Sequence, residues 1–322
     1  MTVRELLVAF LAVIAAIPGA AQEAYPSKPV RLVAPAAPGG NPDVLARMLG
    51  QKLSEAFGKP FVVENMPGGG GVAGAVAVAR APADGHTLFL GDAGAFAILP
   101  AVNAKLPYNA LQDFTFITAL VAVPTVLVVH PSVPASTLRE FVDLARAKPG
   151  SVNFGSAGNG SIHHMTMAMF ASSAGVDVLH VPYKGGTPLV AALMAGDVQA
   201  GFSGIPNVQQ AIKSGRLRAL GVSTARRSGS LPDVPTLAEL GIKEFDVAST
   251  IGLQGPAGIP REIVARLQSA AAKALRERDV VERIGNLGMM MLENGTEHYA
   301  QLIKHDFERF AAAARTAGIK NE

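Results

Sequence analysis

The chain contains no cysteine and no tryptophan. Without cysteine there is no disulfide, and no lipobox to tether an exported protein to a membrane. Without tryptophan, and with aromatics at only 6%, a surface that stacks nucleobases or sugar rings is excluded. Charge is scarce as well: 16% of residues are charged against 49% apolar, a balance that excludes disorder. The net charge is only +3, and no run of Lys and Arg is interleaved with aromatics. Nucleic acid is therefore not a partner, and the scattered basic residues read as solvated helix faces.

A length of 322 residues suits two domains, each able to bury a core. The first segment, MTVRELLVAFLAVIAAIPGAAQ, has Arg4, an apolar run from Leu6 to Ile17 and a Pro18-Gly19 breaker, with small Gly19 and Ala21 preceding a cleavage before Gln22. This is the pattern of a signal peptide over residues 1–21, with Glu5 beside Arg4 as its atypical feature. The run is too short to span a bilayer comfortably, and no later segment is long enough. The mature protein is expected free in the periplasm, as a monomer.

Beyond it, strands and helices alternate. KPVRLVAP reads as a strand, PGGNPD as a loop, and VLARMLGQKLSEAFG as a helix with Leu45, Met48, Leu49 and Leu53 on one face. FVVEN, a glycine loop, a small-residue helix and TLFLG follow. The same order returns in SVNFGS, IHHMTMAMFASSAG, VDVLHVPY, LVAALMAG and VQAGFSG, so two copies lie at roughly 30–92 and 152–205. Between them FTFITALVAVPTVLVVHP is nearly all apolar and crosses from one lobe to the other, while FDVASTIGLQGPAG looks like the return. The C-terminal remainder has helical apolar spacing and is expected to pack on the first lobe. The expected division is lobe one at 22–123, lobe two at 124–245, and a return to lobe one at 246–322. The fold class is α/β, with two doubly wound lobes joined by two crossover segments.

In such sheets ligands lie outside the C-terminal strand ends, where chain order reverses. A 2-1-3 winding selects the loops PGGNPD (38–43), GDAGAF (91–96), SAGNGS (156–161) and FSGIPN (202–207), and places second-strand loops such as PGGGG at the sheet edge. Two selected loops are glycine-rich and open a helix, so unpaired N–H groups and the positive helix end converge on a small anion. Gly39, Gly40, Gly158 and Gly160 let the backbone approach it, and Asn41 and Ser161 are good N-cap types.

Several patterns suggest other chemistry without supporting it. Gly69-x-Gly71-x-x-Gly74, with Asp92 later, has dinucleotide-fingerprint spacing, but Met66-Pro67 separate strand from glycines and the loop follows the second strand. Adjacent His163 and His164 on a helix point about 100° apart, poor geometry for one metal. His164 is expected to face the ligand loop, with His163 half exposed. Ser156 and Ser203 are not the centre of G-x-S-x-G, so no hydrolase is read. The stretches MTMAM and GMMML read as core filling. No metal, cofactor or enzymatic activity is expected.

In order along the chain, YPSKPVRLVAPAAPGGNPDVLAR, FVVENMPGGGGVAGAVAVARAPADGHTL, LPYN, DFTFI, VLVVHPS, ARAKPGSVNFGSAGNGSIHH, VDVLHVPYKGGTP, LRALGVSTARRSGSLPDVPTLAELG and GPAGIP resemble the Bug-type receptors, the periplasmic solute-binding proteins of tripartite tricarboxylate transporters. The resemblance covers nearly the whole mature chain. It implies a type II periplasmic-binding-protein fold and capture of a small organic carboxylate for delivery to membrane transporter subunits. By position, Gly39, Gly40 and Asp43 match the family's first loop, Ser156, Gly158, Gly160, Ser161 and His164 its second, and Tyr183 with Lys184 its VPYKGG segment. Asn41, Asp92, Phe96, Ser203-Gly204 and Thr250-Ile251 depart from the family's usual residues in or near the expected cleft. Phe96 and Ile251 there favour a more apolar or aromatic acid, and Asp92 an acceptor for a ligand hydroxyl or amine. Two alternatives stand beside this reading: a ligand-sensing partner of a signalling system, and a secreted enzyme on the same scaffold.

Overall fold

A computed structural model describes residues 25–292 and 295–319. The signal peptide and its cleavage point near Ala21 lie outside the described residues. Among the described residues, no helix is long and apolar enough to cross a membrane.

The first half runs β1 (Val30–Ala34), α1 (Asn41–Phe57), β2 (Phe61–Asn65), α2 (Val72–Ala79) and β3 (Thr87–Asp92), then a wide turn at Gly94–Ile98 and the short helix α3 (Leu99–Val102). Next come β4 (Phe114–Val129), α4 (Leu138–Ala147), β5 (Asn153–Ser156), α5 (Ile162–Ala174), β6 (Leu179–Pro182), α6 (Gly186–Ala195), β7 (Ala200–Gly204), α7 (Ile205–Lys213) and β8 (Arg218–Val222). The chain then returns through β9 (Ala248–Pro256) and ends in α8 (Arg261–Ala274), α9 (Arg278–Asn286), β10 (Met290–Met291) and α10 (Thr296–Ala317). Local chemistry sets several helix ends. Thr137 and Glu140 form a reciprocal capping box on α4, and the Ser161 hydroxyl accepts from the His164 amide at the start of α5.

The strands form one sheet in the order β2-β1-β3-β9-β4-β7-β5-β6, with β8 and β10 also on β4. β1 is parallel to β2 and β3, and β5 is parallel to β6 and β7. Each half therefore has the 2-1-3 winding, and the doubly wound α/β class is as expected.

β4 is central to both halves. Every one of its residues but Thr115 is buried, as its unbroken apolar sequence requires of a strand covered on both faces. Phe114 to Pro124 pairs with β9, and Thr125 to Val129 pairs with β7. Pro124, which has no N–H to give to a ladder, stands where the partner changes. Immediately after it, the Thr125 amide and hydroxyl both donate to the Ser223 hydroxyl, at 3.1 and 2.9 Å, and that hydroxyl donates to the Val247 carbonyl. The outgoing and returning chains are thus joined side by side through one buried serine.

The C-terminal segment departs from the expectation that it packs on the first half alone. α8 and α9 do bury Leu267, Ala271, Val280 and Ile284 there. α10 is about 33 Å long at 1.5 Å per residue, and its apolar stripe serves two clusters. Tyr299 and Ile303 pack with Phe89, Phe96 and Phe116, whereas Phe310 and Ala314 pack with Phe141, Phe154 and Phe170 of the second half.

α10 approaches β9 closely enough to require glycine. A Cβ on Gly252 would lie 2.3 Å from Cζ of Tyr299, whose fully buried ring is held by a hydrogen bond from Gln254. Gly252→Ala is expected to lower stability by about 1–3 kcal/mol through this overpacking. At exposed Gly229 an added Cβ would meet nothing within 4 Å, so Ala there should change stability by less than about 0.5 kcal/mol. Thermal melts of the two variants check the difference.

Candidate functional site

The C-terminal ends of the parallel strands in both halves open onto one cavity of about 590 Å³. Its floor is set by strand register. Asp92 of β3 faces Ile251 of β9, Val123 of β4 faces Ser249 of β9, and Thr125 of β4 faces Gly204 of β7. All six residues line the cavity.

Its walls are helix beginnings. Gly39, Gly40, Asn41 and Pro42 bring the start of α1, Ile162 and His163 that of α5, Gly186 and Thr187 that of α6, and Gly204 with Asn207 that of α7. The first N–H groups of a helix have no partner within it, and the helix dipole places partial positive charge there. Four such ends around one cavity favour an anion, although no Lys or Arg is among the described residues that line it. The two walls nearly meet: the Asn41 side-chain nitrogen lies 3.7 Å from where a Cβ on Gly204 would stand.

The α1 loop is shaped from behind by Asp43. Its buried carboxylate accepts from the Gly39 amide at 2.8 Å and from Asn65 at 2.8 Å, and pairs with Arg47 at 2.9 Å. Burial alone would raise its pKa, but these hydrogen bonds and the guanidinium hold it below the usual carboxylate range. Asp43 therefore fixes the backbone that faces the cavity rather than facing it.

Two titratable side chains do line the cavity. Burial pushes the Asp92 pKa up, opposed by the amides of Ala95 and Gly94, and among the described residues no cation pairs with it. Burial pushes His163 down to about 4, so its ring is neutral near pH 7, and its buried Nδ1 has no hydrogen-bond partner.

The expected site residues divide. Gly39, Gly40, Asn41 and Asp92 line the cavity, with Gly40, not Asn41, as the α1 N-cap. Phe96 does not line it: its wide turn drives the ring into the core, fully buried against Phe89, Phe114 and Phe116. His164 also turns away. It stacks on His180 with centroids 3.8 Å apart and borders a different cavity, of about 640 Å³, between α5 and α10. Its neighbour His163, expected half exposed, takes the cleft position.

Ser156, Gly158, Gly160 and Ser161 shape the turn into α5 but are absent from the cavity lining. The Ser156 hydroxyl sits 2.6 Å from His180 Nε2 and 3.0 Å from the Gly158 carbonyl. No sequence pattern announces this serine–histidine contact, and it lies outside the cleft. Tyr183 packs against the α6–α7 cluster, and Ser203 is fully buried with an unpartnered hydroxyl one residue before Gly204.

Asn207 belongs to the loop FSGIPN that the winding selects, whereas sequence reasoning misses Thr125, Gly186, Thr187 and Ser249. The winding places the start of α6 at the sheet edge with the other second-strand loops, yet it reaches the cavity. The adjoining KGGTP, a glycine pair before a Thr-Pro helix start, is the available signal.

The family model for the tripartite tricarboxylate transporter family receptor matches residues 45–319. Protein BugT of Bordetella pertussis is 34% identical over 299 residues, covering 92% of this chain and 92% of its own. Among solved structures, R. palustris Rpa4515 with adipate superposes with a TM-score of 0.85 at 31% identity, covering 92% of this chain and 99% of that one. MatC from Rhodopseudomonas palustris, with bound malate, gives 0.80 at 32% identity, covering 90% and 99%.

The histidines give this region a pH signature. His163 and His164 are both pushed to about 4, by burial and, for His164, also by His180, against 6.5 for an exposed ring. Between those values the unfolded chain binds protons that the folded chain excludes, so stability falls as pH drops from about 6.5 to about 4. Thermal melts across that range should show the loss, and His163→Gln should reduce it. An unchanged pH slope in the variant would refute the assignment.

Proposed function

Because the chain belongs to the family of tripartite tricarboxylate transporter receptors, we propose that it captures a small organic carboxylate in the periplasm and hands it to membrane transporter subunits. The observation that carries this reading is the convergence of four helix N-termini on one cavity with no Lys or Arg among the described residues that line it. Such a site holds a carboxylate by main-chain N–H groups. With about 1.5–3 kcal/mol for each charge-assisted hydrogen bond, three or four suffice for the ~8 kcal/mol of a micromolar complex once ordering costs are met. Relatives solved with adipate and with malate supply the same ligand class.

In this reading the lobes lie at 22–123 with 246–292, and at 124–245, and they turn about the Pro124–Thr125 and Ser223–Val247 junction. α10 rides on both lobes. Ligand bound to one wall draws the other wall onto it, and the closed form is the one that the membrane partner recognises.

Gly186 lies at the first turn of α6, and a side chain there meets nothing closer than Asn207 at 3.8 Å, so Gly186→Val should fold normally while filling the cavity. Carboxylates of four to six carbons, about the size of the relatives' ligands, are expected to raise the wild-type melting temperature, since a ligand that binds only the native state stabilises it. The variant should melt at the wild-type temperature without ligand and show no shift with it. A shift of wild-type size in the variant would move the site elsewhere.

A further inference from the structure

Among the described residues that line it, the cleft carries one acid, Asp92, and no Lys or Arg. Asp92 ends β3 beside Ile251, at the side of the cavity formed by the first half, and its carboxylate accepts from the main-chain amides of Gly94 and Ala95 in the following turn. Three of the four helix starts lie on the opposite side, contributed by α5, α6 and α7. The lining is therefore uneven: the second half brings three helix starts, and the first half brings Asp92 beside the start of α1. His163, the other titratable group among the described lining residues, is neutral and brings one unpartnered ring nitrogen, Nδ1, rather than a charge.

On the premise that the cleft captures a carboxylate, we propose that its ligand is a monocarboxylic acid bearing a hydroxyl or ammonium group, with Asp92 the residue that selects it. The ligand carboxylate takes the helix starts, and its donor completes Asp92. Burial pushes the Asp92 pKa up, while the amides of Gly94 and Ala95 favour its charged form; against that carboxylate, a dicarboxylate of the same length would set a second like charge, and the two repel strongly once closure has removed water. An unsubstituted acid would leave Asp92 desolvated without a partner, which is also costly. Apolar Val123, Ile162, Val190 and Ile251 accommodate the carbon chain between the two polar ends. Selection thus rests on a mismatch with the wrong ligand as much as on a bond to the right one.

Matched acids differing only at the far end test this by titration calorimetry near neutral pH: hexanoate, ω-hydroxyhexanoate, ω-aminohexanoate and adipate, with the four-carbon set butyrate, γ-hydroxybutyrate, γ-aminobutyrate and succinate. The hydroxy or amino member should bind at least about ten-fold tighter than the diacid of equal length. Asp92→Asn and Asp92→Ser, each able to accept the turn amides, should erase or reverse that ratio. A wild-type protein that binds the diacid as tightly as the hydroxy and amino acids overturns the proposal while leaving carboxylate capture intact. So does an unchanged ratio in folded variants, or weaker diacid binding in them, the mark of a protonated Asp92 donating to the ligand. A protein that binds none of the eight acids overturns both the proposal and the reading beneath it.

Discussion

Everything in this molecule depends on β4 being shared. One strand long enough to run through both halves must find two different sets of partners, and it does so by pairing first with β9 and then with β7 and β8. A continuous apolar strand can be buried on both faces only if helices cover it throughout, so its burial binds the two windings into one body. The Ser223 hydroxyl, accepting twice from Thr125 and donating once to Val247, ties the two connecting chains together through one satisfied buried group. That junction borders the cleft directly, since Thr125 lies in its floor.

The cleft gains its anion-seeking character without formal positive charge. A lysine or arginine would need desolvation each time the halves closed, whereas amides at helix starts are already unpaired and already oriented. Asp43 shows the cost of that orientation being met from behind: a buried carboxylate, with its own cation and amide partners, holds the Gly39 backbone in place. The helix starts that line the cavity offer main-chain N–H groups, and the Asp43 carboxylate that shapes one of them lies behind it.

Much of this architecture is legible in sequence because two periodicities alternate cleanly. The repeated strand-loop-helix order, the unbroken apolar run of β4, and glycine loops before helices are patterns set by backbone physics, and each appears where the sequence places it. What escapes is orientation. His163 and His164 differ by about 100° of helical rotation, and only the register imposed by the Ser161 cap decides which one faces the cleft. Phe96 escapes because the wide turn at Gly94–Ile98 carries no sequence mark, and only the packed structure shows the ring closing the aromatic cluster with Phe114 and Phe116. α10 reads as belonging to one half because amphipathic spacing reports a buried stripe without saying how many partners share it.

A wall of main-chain amides and a floor of register-paired side chains also divide what heredity can alter. Most point mutations replace a side chain and leave an N–H where it was, so drift seldom erases the ability to hold an acid. The floor positions beside it, such as Asp92 and Ile251, are open to revision one at a time. A change at one floor position therefore alters what lies beside the helix starts without moving their N–H groups.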